Sequence, residues 1–425
     1  MKGIKDKLIV AVCLMALAAC GDSVPVPHST APPAMDRDLA ETIRADTLMD
    51  EVLQRGRDVV QTGFNAGDGY AEVWIRDLNT FIELSLEVMD RETVKQNLRV
   101  FFETQGEDGH IVDGFIPQDG RTHKNTVETD QESSLVQAVY QYIEATGDRA
   151  FLDEQIDGKT VQARLDGAMQ FLLDERWAED YGLIWGATTA DWGDVQPEHE
   201  WGVYLDENTH YALDIYDNAM FIIALQNLLA LAPDDAARTA RWKPVLDGVR
   251  ENTRKHLWKD GRFIPHIYLA DAPWPDGFDE SPIYYHGGTA VAIQAGLLSR
   301  EEVRQSLDRM RENVRQAGAA TIGLTLYPAY PEGFFKNPGM GPYSYQNGGD
   351  WTWFGGRMIQ ALITYGFYQE AYDELRPMLE RVRANDGFYE WYTVDNQPRG
   401  SGVFRGSAGV LAKAIYMLRE QAGGE

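Results

Sequence analysis

The chain has 425 residues, of which 44% are hydrophobic and 11% aromatic, and a formal net charge of −27. That length and apolar content supply a large core, in one big domain or two ordinary ones, and leave disorder to the N-terminus. The charge argues against nucleic acid or an anionic membrane surface as the main partner, because both need clustered Lys and Arg.

Lys2, Lys5 and Lys7 make a basic segment ahead of "LIVAVCLMALAA" (8–19), an apolar run too short to span a bilayer comfortably. It ends in Leu17-Ala18-Ala19-Cys20, which resembles the bacterial lipobox. That resemblance implies a signal peptide over residues 1–19, a lipidated Cys20, and a cell-envelope location on the periplasmic or cell-surface face of a membrane. Residues 20–37, rich in Pro and small polar side chains, read as a flexible tether. With Cys13 removed and Cys20 carrying lipid, the mature domain has no thiol, so its stability rests on packing. No later run reads as a span: 219–232 is short and is interrupted by Gln226 and Asn227.

From about residue 38 two kinds of helix alternate. One kind is amphipathic: residues 301–318 place Val303, Leu307, Met310 and Val314 on one stripe. The other is apolar nearly all round, as in 214–231 and 350–366, and needs burial on both sides. Inner helices are predicted to begin near Asp77, Asp130, Asp214, Gly287, Asp350 and Arg405, and outer helices near residues 38, 92, 160, 237, 301 and 369. An inner ring of six inside an outer ring of six buries both kinds, so the expected fold is an all-α (α/α)6 toroid, one catalytic domain over 38–425. The long connections 178–213 and 385–404 lead into the third and sixth inner helices, which lie opposite each other in a ring of six.

Both connections carry acids among aromatic residues. "DGFYEWYTVDN" sets Glu390 among Phe388, Tyr389, Trp391 and Tyr392, and in "ATTADWGDVQPE" Asp191 and Asp194 flank Trp192. More polar and aromatic residues gather at the inner-helix starts: Trp74, Arg76 and Asp77; Asp130; Tyr216, Asp217 and Asn218; His286; and Asn347, Asp350, Trp351 and Trp353. A single Asp at a helix start is explained by capping. Capping does not call for the accompanying Trp, Tyr, Arg and Asn. Sugars do, because their C–H faces stack on rings while their hydroxyl groups need Asp, Asn and Arg. Glycoside hydrolysis also needs two carboxyl groups, one acid and one base, and aromatic crowding raises the acid's pKa by desolvation. Asp191 and Glu390 fit those two roles.

From about residue 40 onward the chain resembles the six-hairpin (α/α)6-barrel glycosidases, the group that includes trehalase, family 63 α-glucosidases, neutral invertases and amylo-α-1,6-glucosidase-like proteins. The resemblance is carried by "YAEVWIRDLNTFIELSLEVMDRETVKQNLRVFFET", "TTADWGD" and "FYEWYTVDNQPRGSGVFRGSAGVLAKAI". It implies Asp191 as general acid, with Asp194 as the alternative, and Glu390 as general base. In place of an "SGMDN" or "SGWD" motif the chain has Ala190-Asp191-Trp192-Gly193-Asp194, which leaves the choice of acid and the sugar open. The implied reaction is exo-acting, inverting hydrolysis of α-glucosidic or related bonds in an oligosaccharide or glycoside, the carboxyl groups standing roughly 6.5–9.5 Å apart to admit a water. Arg76, Asp77, Asp217, Asn218 and Asp350 would grip the released sugar, and Trp192, Trp351, Trp353 and Trp391 would wall the pocket.

No cofactor or metal is expected: the His residues are scattered and neither H-E-x-x-H nor an EF-hand loop occurs. The membrane is contacted only through the N-terminal lipid. Two other readings share many of these features. A carbohydrate-capturing surface lipoprotein would not need two acids in opposed loops. A toroid lyase or unsaturated-uronyl hydrolase would want more cations at the mouth than Arg76, Lys336, Arg399 and Arg405.

Overall fold

The computed structural model describes residues 32–123, 129–200 and 204–423; the signal segment, Cys20 and most of the tether lie outside the described residues. Thirteen α-helices occur among the described residues. In chain order they are α1 (Arg37–Ala45), α2 (Thr47–Val60), α3 (Ile75–Val88), α4 (Arg91–Glu103), α5 (Gln131–Thr146), α6 (Val161–Glu175), α7 (Ile215–Leu231), α8 (Ala236–Leu257), α9 (His286–Gln294), α10 (Arg300–Ala317), α11 (Thr352–Thr364), α12 (Tyr368–Ala384) and α13 (Arg405–Gln421). The inner ring is α3, α5, α7, α9, α11 and α13. Each packs on the next, and α13 closes back on α3. The remaining helices form the outer ring, with α1 and α2 together filling its first position. The architecture is the expected (α/α)6 toroid.

Sequence explains why each ring forms. Six of the seven outer helices announce their starts with side-chain caps: Asp36, Asp46, Asp90, Thr160, Asp235 and Ser299 each accept from backbone N–H groups of the helix they precede, while α12 follows Phe367 without one. In α10 the cap is a full capping box with Glu302, and Val303, Leu307 and Met310 are buried while Asp308, Arg309 and Arg315 face solvent. Inner helices carry apolar residues on nearly every side. Ile215 through Ile222 of α7 are all buried, and burying each large apolar side chain contributes about 1.5–3 kcal/mol. Of the six inner helices only α7 has its own side-chain cap, Asp214, which accepts from the Asp217 N–H at 2.8 Å. The others start at Trp74, Asp130, Tyr285, Trp351 and Phe404 with no side-chain cap bond.

All six inner helices begin at the same end of the toroid, its mouth, where two- and three-residue strand pairs tie the loops together. Val73–Trp74 pairs with Gly114–Phe115, Tyr211–Leu213 lies between Gly186–Ala187 and Ile267–Tyr268, and Tyr284–Tyr285 pairs with Leu326–Tyr327. Asp350 bridges to Tyr392, joining the α11 and α13 entries. A second small core of Trp274, Tyr330 and Phe335 stiffens one side of the mouth. Its polar tie is Glu280, which accepts from Tyr268 Oη at 2.8 Å and Trp274 Nε1 at 3.1 Å.

Candidate active site

A pocket of about 500 Å³, counting its open end, lies at the mouth. The start of α3 supplies Trp74, Arg76 and Asp77, and the loop before α7 supplies Trp192 and Asp194. Tyr345, Gln346 and Trp351 come from the segment before α11, Trp353 from its first turn, and Glu390 from the loop before α13; Ala66, Tyr70 and Phe404 complete the lining. The aromatic wall is packed ring on ring. Trp192 stands edge-on to Trp351 and Trp353, with centroids 4.7 and 5.3 Å away, and stacks on Phe354 at 4.6 Å.

Each acid in the pocket has a distinct environment. Glu390 is 4% exposed. Its Oε1 accepts from Tyr70 Oη at 2.8 Å and its Oε2 from the Ser401 N–H at 3.2 Å. Burial raises its pKa while those two donors pull it back. Gly400 lies directly behind it at φ +69°, where a Cβ would stand 2.3 Å from Oε2, so only glycine fits both the turn and the close approach. Asp194 is more open, with a side chain 29% exposed. Its Oδ1 accepts from Gln346 Nε2 at 2.5 Å and its Oδ2 lies 3.5 Å from Arg76 Nη2. Arg76 also reaches Asp130 at 3.8 Å, and Tyr216 Oη donates to that carboxylate at 2.7 Å. Asp77, fully buried, has its pKa pushed up to about 7 by desolvation; Arg76 opposes the shift, and Glu390, Asp194 and Asp130 add to it. Asp77 Oδ1, Trp192 Nε1 and Trp353 Nε1, all buried, have no hydrogen-bond partner among the described residues.

Asp191 goes elsewhere. Its backbone adopts φ +57°, its side chain is buried, and it does not line the pocket. Its Oδ2 accepts from the Gly287 N–H at 2.6 Å and its Oδ1 from the Gly288 N–H at 2.7 Å, so Asp191 caps α9 from a distant loop. The expectation of Asp191 in the pocket is corrected for that physical reason: both carboxylate oxygens are spent on a helix start.

Several other expected sugar-gripping residues are likewise used inside the fold and lie outside the pocket. Asn218 bonds both the N–H and the carbonyl of Ile184, each at 3.0 Å. Asn347 does the same for Tyr330, at 2.8 and 3.1 Å. Asp350 accepts from Thr321 Oγ1 at 2.6 Å and Arg381 at 2.9 Å. His286 is paired with Asn313 at 3.0 Å, and burial pushes its pKa down to about 3, so the ring is neutral. Asp217 accepts from the Thr129 N–H at 3.3 Å, and burial raises its pKa well above the usual range. Asp130 and Tyr216 stand behind Arg76, and Trp391 packs edge-on to Tyr345. The pocket therefore unites Trp74, Arg76, Asp77, Trp192, Asp194, Trp351, Trp353 and Glu390 from the expected set. It adds Tyr70, Tyr345 and Gln346, of which the last two sit in the same "YQNGGDWTWFGG" stretch that pointed to Asn347.

The chain matches the model of the amylo-alpha-1,6-glucosidase family over residues 49–389, ending just before Glu390. In fold it is similar to a family 63 mannosylglycerate hydrolase from Thermus thermophilus in complex with glucose, with a TM-score of 0.61 and 16% identity over 85% of this chain and 99% of that one. The same enzyme with Tris and D-glycerate gives 0.59 and 18%, over 86% and 98%. A rhamnosidase from Klebsiella oxytoca with rhamnose bound gives 0.59 and 15%, over 92% of this chain and 66% of that one. No curated protein sequence matches the chain significantly. The structural likenesses carry the fold, and the family match, spanning most of the sequence, carries the membership: the chain belongs to the amylo-alpha-1,6-glucosidase family of six-hairpin glycoside hydrolases.

Proposed function

We propose that the protein is an exported, exo-acting, inverting glycosidase in which Asp194 is the general acid and Glu390 the general base. The observation that carries the reading is the convergence of Asp194, Glu390 and Asp77 on one small aromatic pocket, in which Asp77 Oδ1, Trp192 Nε1 and Trp353 Nε1 have no hydrogen-bond partner among the described residues. Two long loops bring the acids from opposite sides of the ring, as a water-admitting pair requires. Glu390 is read as the base from the resemblance of residues 388–415 to the C-terminal segment of the six-hairpin glycosidases, and Tyr70 and the Ser401 N–H fix its two oxygens in the pocket. Asp194 suits the acid because it is the more open carboxylate, and in an exo-acting enzyme the glycosidic oxygen lies toward the open end of the pocket.

The pocket's size favours one terminal sugar ring over a chain threaded through a groove. Glucose, D-glycerate and rhamnose, the molecules carried by the similar structures, are each one ring or smaller. An α-linked glucose or related hexose is the proposed unit released. The lipobox-like segment supports export and anchoring at Cys20, in which case Cys20→Ser leaves the protein in the soluble fraction.

The test is proton NMR of the mature domain with α-linked gluco- and manno-oligosaccharides and sucrose. The reading expects one substrate to release a sugar whose first-formed anomer is inverted. Release with retained configuration, or equal sugar binding without turnover, would overturn it, and the second result would favour the capture lipoprotein.

A further inference from the structure

The toroid axis is open at both ends. Opposite the mouth lies a second cavity, of about 900 Å³ including its open end, to which all six inner helices contribute, from the middle of the axis at Asn79 and Arg357 to its far end at Thr364 and Met417. Its lining has a consistent chemistry. Six carboxamides surround it: Asn79, Gln137, Gln141, Asn227, Gln294 and Gln360. They are linked in short chains, with Gln141 Nε2 donating to Asn79 Oδ1 at 2.6 Å, Gln294 Nε2 to Gln360 Oε1 at 3.2 Å, and Arg357 Nε to Gln294 Oε1 at 3.0 Å.

No Asp or Glu lines the cavity, so it does not suit a cation. Of its two cations, Lys413 is paired with Glu83 at 2.6 Å, and Arg357 is held by a side-chain hydrogen bond with Tyr216 and by the charge of Asp130, so it does not suit a strong anion either. Arg357 is 6% exposed, and its Nη1 has no hydrogen-bond partner among the described residues. A buried donor left unmade costs about 1–3 kcal/mol, which a ligand oxygen would relieve. Carboxamides offer donors and acceptors together, the complement of hydroxyl groups.

We infer that this remote end of the axis is a second binding site, separate from the mouth, for a small neutral polyol of glycerol to monosaccharide size. The site stands on its own residues and does not depend on the catalytic assignment. The ligand sits between the carboxamides, with a hydroxyl oxygen accepting from Arg357 Nη1. Met417 and Thr364 stand at its lining, and Thr364 is exposed at the rim.

The experiment labels the methionine methyl groups of the full chain with 13C and titrates glycerol, then glucose, while following Met417, identified through Met417→Leu. The inference expects a saturable Met417 shift that is lost in Thr364→Trp, whose ring plugs the rim, and kept in Trp74→Ala, which alters only the mouth. A Met417 resonance that does not move, or one that moves equally in Thr364→Trp, overturns the inference.

Discussion

Glu390 sits between opposing influences, a burial that favours its neutral form and two donors that favour its charge. Tyr70 is the one that can be removed cleanly. Tyr70→Phe should raise the Glu390 pKa further, moving the acidic limb of the kcat/KM profile to higher pH and lowering kcat about tenfold, the worth of one hydrogen bond to a charged group. Asp77 makes the complementary case. Its pKa of about 7 in the folded chain stands above the ordinary 3.8, so its contribution to stability is full below pH 4 and is lost as pH rises through 7. Asp77→Asn should therefore melt higher than the parent at pH 8, by at most about 4 kcal/mol of stability, with the difference vanishing toward pH 4 while sugar binding weakens. Thermal melts at the two pH values check it. Asp191 and Asp194 show where sequence reading stops. Both flank Trp192, and neither composition nor spacing separates them. The left-handed backbone at Asp191 does, by turning its carboxylate onto α9.

Helix starts divide the two rings. The outer starts were legible from their amphipathic runs, and the structure adds a side-chain cap before each of them except α12, Ser299 with Glu302 being the clearest. Ser299→Ala should cost about 1 kcal/mol in a denaturant melt and leave turnover unchanged, since α10 is remote from the pocket. The inner starts were legible from apolar runs alone, and most have no cap of their own. For α9 the missing cap comes from Asp191, and two glycines make room for it: a Cβ on Gly287 would stand 2.6 Å from Trp192 and 2.8 Å from Asp191. Gly287→Ala should therefore lower both stability and activity, by displacing a wall residue as well as a cap. The strand pairs at the mouth were not legible, because two residues are too few to show a period of two.

At the scale of the molecule, counting six inner helices was enough to set the α7 and α13 entry loops across from each other, and the ring closure from α13 to α3 completes that arrangement. The fold and the aromatic, acid-bearing mouth were therefore present in the sequence. The roles of Asn218, Asn347 and Asp350 were not, because their partners, Ile184, Tyr330 and Arg381, lie 34, 17 and 31 residues away, beyond the reach of any local pattern. The central claim is the assignment of Asp194 as acid and Glu390 as base. It is tested most directly by comparing hydrolysis of the natural glycoside with that of the matching glycosyl fluoride, whose leaving group needs no protonation. The account predicts that Asp194→Asn loses on the order of 10²–10⁴ in rate on the glycoside and keeps most of its rate on the fluoride, and that Glu390→Gln loses both. Asp191→Asn should melt lower while its ratio of the two rates stays that of the parent. Selective survival of fluoride turnover in Asp191→Asn, with Asp194→Asn behaving as the parent, would contradict the account.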